Sequence, residues 1–228
     1  MGSNLHIAVI MDGNRRFSKK LLTEPWKGHE YGAKKFRQII EWCKEIHATT
    51  LTVYAFSWEN FNRPQKEFDY LMELFDKEIT ELLTKANDIL KEDIKIRFVG
   101  RINRFPESLY EKMCKLQEIT SSAKKYTVNI CMAYSGRNEI IDTIVELHKE
   151  KKLSSDFTAD DLLKSLSINS EPDIIIRTGG ERRLSNFLPF QSVYSELFFT
   201  ETLWPDFSKE EFMNIVEEFK SRQRRFGK

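Results

Sequence analysis

"HIAVIMDGNRRF" runs from His6 to Phe17, and the break inside it decides the fold. Ile7 to Met11 is an apolar run with no charge in it. It stops at Asp12, and a glycine, an asparagine and two arginines follow. A run this short, apolar at every position, reads as a strand covered on both faces, as in a parallel sheet. In such sheets the ligand site lies just beyond the carboxyl ends of the strands. Two readings of "MDGNRR" are open at this point. It is an Asp-Gly turn with solvated arginines, or a place where a metal and a phosphate meet. Gly13 permits close backbone approach. Asp12 is a hard oxygen ligand suited to Mg²⁺, and Arg15 and Arg16 can fork onto phosphate oxygens.

Five more runs repeat the pattern, and strands are expected at Leu51–Phe56, Ile94–Val99, Thr127–Ala133, Asp173–Arg177 and Glu196–Thr200. Amphipathic stripes between them predict helices over Tyr31–His47, Gln65–Leu90, Glu107–Ala123, Asn138–Lys152, Ala159–Leu166 and Lys209–Arg222. Strand–helix alternation implies right-handed crossovers and a mostly parallel six-stranded sheet flanked by helices. With no repeat or linker, residues 1–228 read as one α/β domain. Met1-Gly2-Ser3 reads as a cloning remnant.

Composition narrows the function classes. Lys+Arg is 36 and Asp+Glu is 35, a balance unlike that of a bulk nucleic-acid binder. Charged residues at 31% beside 40% hydrophobic ones suit a soluble globular chain. Cys43, Cys114 and Cys131 lie far apart with no CxxC spacing, which argues against a disulfide framework and a zinc site. No segment approaches the ~20 apolar residues of a membrane span, and the first residues lack a signal-peptide pattern. A cytoplasmic location is expected.

Two further strand ends carry polar clusters. In "YAFSWENFNRP", Tyr54–Pro64, the groups Ser57, Glu59, Asn60 and Arg63 sit among Tyr54, Phe56, Trp58 and Phe61. That mixture suits a charged head on an apolar tail, or equally an N-capped helix over an aromatic core. In "IIIRTGGERRLSNF", Ile174–Phe187, Arg177 ends an apolar run, and Gly179-Gly180 can turn backbone N–H groups on an anion. Arg182, Arg183, Leu184 and Ser185 follow. The stretch fits diphosphate but lacks the P-loop lysine and the GxGxxG of dinucleotide folds. Glu196, in "SVYSELFFT", reads as an edge-strand charge or a metal ligand. His29, in "KGHEYGAKK", reads as a phosphate donor or a helix cap.

Taken together, the blocks resemble the cis-prenyltransferase family, the undecaprenyl and dehydrodolichyl diphosphate synthases among them. "HIAVIMDGNRRF", "GHEYGAKK", "YAFSWENFNRP", "NICMAYSGRNEI", "PDIIIRTGGERRLSNFL" and "QSVYSELFFTETLWPDF" follow in order over nearly the whole chain. The terminal "RRFGK" matches the family's RxG tail. The resemblance implies a homodimer that joins an allylic prenyl diphosphate to isopentenyl diphosphate with a new cis double bond. It implies Mg²⁺ held by Asp12, completed by Glu196 from the neighbouring subunit. Gly13, Asn14, Arg15, Arg16 and His29 would cradle the allylic diphosphate, with Phe17, Trp58, Glu59, Phe61 and Arg63 around it. Arg177, Arg182, Arg183, Leu184 and Ser185 would receive isopentenyl diphosphate. Asn60 and Ser57 match the family's proton-handling pair, and Arg225 and Gly227 would reach across the dimer. An apolar tunnel between sheet and helices would hold the tail, and the chain's 17 Phe suit its lining. A lipid product also implies passing contact with a membrane.

Departures cluster at the allylic end. Pro25 falls where an arginine commonly contacts the allylic diphosphate, and proline offers neither charge nor N–H. Losing such a contact costs roughly 1.5–3 kcal/mol, and Lys27 is the nearest substitute in sequence. Phe17 stands where tryptophan is frequent, Trp58 where a small residue is usual, Arg182 where bacterial members often carry histidine, and Ala133 where asparagine is common. These changes point to an active enzyme with an unusual donor, acceptor or product length. A second allylic diphosphate is one alternative acceptor. No large insertion separates Pro64 from Gly100, which favours short to medium products. A non-catalytic subunit that activates a partner synthase is the rival from another class. Retention of Asp12, Arg177, Arg183 and Glu196 speaks against it.

Overall fold

The structure, a computed structural model, describes residues 4–222. Six strands form one sheet in the order β3-β4-β2-β1-β5-β6, and every neighbouring pair is parallel. They are β1 His6–Ile10, β2 Thr50–Ser57, β3 Ile94–Val99, β4 Tyr126–Tyr134, β5 Ile174–Arg177 and β6 Glu196–Phe199. The α/β reading holds, and each expected strand lies within a residue or two of its place. The helices are α1 Asn14–Lys20, α2 Gly28–Glu45, α3 Gln65–Thr84, α4 Ala86–Lys91, α5 Glu107–Thr120, α6 Gly136–Lys149, α7 Ala159–Ser165 and α8 Lys209–Ser221.

β1 shows why an apolar run makes this fold. Leu5, Ile7 and Val9 enter the larger core beneath α2, α3, α5 and α8, whereas Ala8 and Ile10 enter a second core on the opposite face. All five residues of β1 are buried. Between β1 and β5 the chain's direction of travel across the sheet reverses, because β2 lies on one side of β1 and β5 on the other. A crevice opens at the carboxyl ends of strands at such a switch point.

Three helical segments differ from the sequence expectation. Residues 14–20 form α1, which carries no apolar stripe; only Phe17 and Ser18 on it are buried. The helix expected over Gln65–Leu90 breaks at Lys85, which caps α3 and starts α4. α2 begins at Gly28, earlier than expected. A Cβ there would lie 1.9 Å from the Asn14 carbonyl oxygen, so only glycine lets α2 start against α1. Ala133 sits at φ 49, left-handed backbone that asparagine adopts more readily than alanine.

Candidate active site

The crevice between β1 and β5 brings together two residues 165 positions apart. Asp12 follows β1 and Arg177 ends β5. The Asp12 carbonyl accepts hydrogen bonds from the Trp204 N–H at 3.0 Å and the Thr178 hydroxyl at 2.7 Å, which fixes its backbone. Its carboxylate is shared. Arg16 Nη2 lies 3.1 Å from one oxygen and Arg177 Nη2 lies 3.0 Å from the other. Arg177 is 5% exposed. Its Nη1 donates to the Arg183 carbonyl at 2.5 Å and to the Ser185 hydroxyl at 2.7 Å. Its buried Nε has no hydrogen-bond partner. A buried guanidinium N–H without an acceptor is costly unless an anion arrives to take it. Gly179, at φ +88, packs so close that a Cβ would stand 2.6 Å from Arg16 Nη2.

On the α1 side of Asp12 lies a cavity of about 370 Å³. Its wall is the run from Met11 to Arg16, joined by Lys19, His29 and Arg63. Four cationic side chains therefore face one small space. Glu67 underlies them, 2% exposed, bonded to Arg63 Nη1 at 2.6 Å and 3.7 Å from Arg15 Nε. It holds the arginines in place without entering the cavity's lining. The His29 pKa is pushed down to about 3, first by burial and then by the charges of Arg63 and Arg15. His29 is therefore a neutral imidazole near pH 7. Arg63 Nη1 lies 3.3 Å from His29 Nε2, so that nitrogen accepts and Nδ1 carries the proton. Burial also lowers the Arg63 pKa.

A second cavity, about 120 Å³ and mainly apolar, adjoins the first. It lies between α2, α3 and the sheet, with Phe36, Ile40, Phe75, Leu82, Phe98 and Ile130 in its wall. Met11, Asn14 and His29 line both cavities. A cationic chamber thus opens directly onto an apolar one. A larger polar cleft of about 450 Å³ runs along α6, away from this junction. Two of its acids are already engaged, Asp142 with Arg101, and Glu139 with Tyr134, Gln191 and the Ile168 N–H.

The remaining expected residues divide. Asn14, Arg15 and Arg16 line the cationic chamber. Phe17 is buried beside it and meets the Tyr31 ring at a tilt, with centroids 5.1 Å apart. Ser57 and Asn60 form a capping box on the turn after β2, with the Ser57 N–H 3.0 Å from Asn60 Oδ1. Trp58 and Phe61 join an aromatic cluster with Phe56 and Phe105, and Arg101 and Arg104 lie over the Trp58 ring. Neither ring lines the two cavities. Glu59 and Arg182 are exposed. Arg183 pairs with Glu181, and Leu184 packs on the second core. Glu196 pairs with Ile174 in register, at the opposite end of the sheet from Asp12, and its carboxylate bonds Arg222. Within one chain it therefore does not approach Asp12. Arg225 and Gly227 lie outside the described residues.

Pro25 does not line the chamber, and neither does the exposed Lys27. The cation that does is Lys19, on α1. Lys19 and Glu67 escaped the sequence reading because both sit on helices. The Arg63–Glu67 spacing of four residues was the available signal for the second.

Asp12 offers hard carboxylate oxygens at the mouth of the chamber. Among the described residues no three His, Cys, Asp or Glu side chains group closely enough to hold a metal by themselves. A cation here would need ligand oxygens and water to complete its shell. Mg²⁺ binds in that manner, with one or two carboxylates and substrate phosphates, so the donor set fits it.

A profile of the undecaprenyl diphosphate synthase family of prenyltransferases matches residues 10–227. A tritrans,polycis-undecaprenyl-diphosphate synthase (geranylgeranyl-diphosphate specific) of Thermococcus kodakarensis is 42% identical, covering 98% of this chain and 86% of that one. An isoprenyl transferase of Thermus thermophilus is 38% identical over 98% and 88%. The crystal structure of lavandulyl diphosphate synthase from Lavandula x intermedia, in complex with dimethylallyl diphosphate, superposes with a TM-score of 0.88. It shares 28% identity and 98% coverage of each chain. Sequence blocks, sheet and profile agree, and the chain belongs to the undecaprenyl diphosphate synthase family of cis-prenyltransferases.

Proposed function

We propose that this protein condenses an allylic prenyl diphosphate with isopentenyl diphosphate to give a Z-configured prenyl diphosphate, with Mg²⁺ bound at Asp12. One observation carries the reading: the cationic chamber and the apolar cavity share Met11, Asn14 and His29, so one ligand with a charged head and an apolar tail fills both.

The allylic head would lie among Arg15, Arg16, Lys19 and Arg63, with its tail toward Phe36 and Phe75. Isopentenyl diphosphate would lie across Asp12, on Arg177, Arg183 and Ser185, where the buried Arg177 Nε–H awaits an acceptor. The allylic C–O bond breaks and its electron pair leaves with diphosphate. The arginines stabilise that charge from fixed positions. The double bond of isopentenyl diphosphate then attacks the allylic carbon, and a proton is lost as the cis double bond forms. Ser57 and Asn60 are engaged with each other and neither is a base, so the released diphosphate takes the proton. A bound Mg²⁺ supplies further charge neutralisation for the leaving diphosphate. Glu196 of a second copy of the chain would complete the metal site in a homodimer, and the lipid product brings the protein briefly to a membrane.

The test is incubation of the purified chain with radiolabelled isopentenyl diphosphate, Mg²⁺ and allylic primers of five to twenty carbons. Primer-dependent, EDTA-sensitive elongation is expected. No elongation with any primer overturns the proposal and favours a non-catalytic subunit. A second reading, a short primer or a second allylic diphosphate as acceptor, draws on Pro25 and on the likeness to the dimethylallyl diphosphate complex. Ordinary long-chain product from farnesyl diphosphate would eliminate it.

A further inference from the structure

The apolar cavity is too small for the work assigned to it. An enclosed apolar space of roughly 150 Å³ accommodates a molecule the size of benzene. At about 120 Å³, this one takes roughly one isoprene unit. A longer chain has to move a wall. The sheet side is strand-paired throughout. α2 is anchored along its length, by Trp204 Nε1 donating to the Gly32 carbonyl at 2.9 Å and by Trp42 against Phe207 and Phe212. α3 is held to α5 by Lys112–Asp76, and its Phe75 packs on Phe105 in the turn just before α5. What remains is the seam between α2 and α3, whose facing side chains line the cavity rather than interdigitate.

Side chains fasten that seam near the mouth and again deeper in. Near the mouth, the Tyr70 hydroxyl donates to Glu30. Seven residues further along α2, about 10 Å, Arg37 clasps α3. Its Nη1 lies 2.5 Å from Glu81 Oε1, and its Nη2 lies 2.5 Å from Glu81 Oε2 and 2.6 Å from Glu78 Oε2. Arg37 and Glu78 are themselves cavity-lining residues. The Glu81 carboxyl is held down to about 2 by Arg37, with Lys85 adding to it, so the Arg37–Glu81 pair stays charged at any working pH. A bidentate guanidinium on one carboxylate with a second carboxylate beside it is the strong form of such a contact.

We propose that the Arg37–Glu78–Glu81 clasp sets the length of prenyl chain this protein accepts, because a chain longer than the closed cavity holds must part α2 from α3 and break the clasp. The inference rests on the proposed prenyl-diphosphate function. Arg37 touches no reacting atom; it acts by holding a wall.

The experiment measures binding of unreactive thiolodiphosphate analogues with dimethylallyl, geranyl, farnesyl and geranylgeranyl tails, by calorimetry at 0.1 and 1 M KCl. Arg37→Met removes the clasp and keeps an aliphatic stem. The double variant Glu78→Gln/Glu81→Gln removes it from the other helix. In both, the affinity ratio of the geranylgeranyl to the dimethylallyl analogue should rise about tenfold, the scale of one charge-assisted contact. In the unmodified protein the ratio should rise with salt, and in the variants salt should leave it unchanged. Elongation products should lengthen by at least one isoprene unit. If the unmodified protein binds these analogues and the ratio stays within twofold in both variants, the clasp proposal is overturned alone. If it binds none of them, the function proposal falls and the clasp with it. Should Arg37→Met fail to fold, the glutamine pair and the salt arm decide.

Discussion

Asp12 has an arginine on each carboxylate oxygen, one from α1 and one from β5, and in the proposed function it separates two anion subsites. Asp12→Ala should lower turnover by at least about 10²-fold while leaving the fold intact, as steady-state kinetics and thermal unfolding would show. Retained turnover would discard the Mg²⁺ assignment. The subsites should respond separately. Lys19→Ala should raise KM for the allylic substrate about tenfold with little change for isopentenyl diphosphate, and Arg183→Ala should do the reverse. Equal effects of both changes on both substrates would remove the two-subsite assignment. Asp12, Arg15, Arg16 and Arg177 were legible in the sequence because each directly follows or ends an apolar run. Lys19 was hidden, since only the turn of α1 brings it round to face Arg63. Lys27 looked like the substitute for the arginine missing at Pro25 because it is close in sequence, but it points to solvent.

Among elements, the α1–α2 connection is the one on which the cationic chamber depends. Ser18 Oγ accepts from the buried Gly28 N–H at 2.6 Å and donates to the Pro25 carbonyl at 2.9 Å. Pro25 therefore serves the loop through its carbonyl, a role the sequence did not display. Ser18→Ala leaves the Gly28 N–H unsatisfied and should cost about 1–3 kcal/mol, read as a lower midpoint in urea unfolding. An unchanged midpoint would mean that the two bonds contribute nothing net. The six strands were legible because Val, Ile and Phe fill both faces. Helix ends were less so. No proline or glycine marks the break at Lys85, and the seven residues of α1 expose their charges and bury little.

For the whole molecule, acid is the stress to apply. His6 is buried across the sheet, its Nε2 2.8 Å from Thr52 Oγ1 and its Nδ1 3.0 Å from Ser170 Oγ. Burial lowers its pKa to about 4, against an opposing pull from Asp173. His29 is lowered to about 3. Both imidazoles take up protons near pH 6.5 in the unfolded chain and stay neutral in the folded one until far lower pH. Their contribution is therefore intact above pH 7 and is lost as pH falls through 6.5 toward 4. Between pH 7 and 5 the two together should remove roughly 4 kcal/mol. Denaturant unfolding at the two pH values should show about half that loss in His6→Gln, and an identical loss in variant and parent would refute the assignment. Strand order was beyond the sequence, because nothing in β1 announces that it takes the sheet's centre. That position matters during synthesis. One edge of β1 pairs with β2 some 45 residues later, but the other waits for β5, about 170 residues downstream. At 5–20 residues per second, a ribosome leaves that apolar edge open for roughly ten to thirty seconds. The strand that leads into Asp12 is thus made before the other five and is among the last completed, and no fragment lacking β5 can present the site.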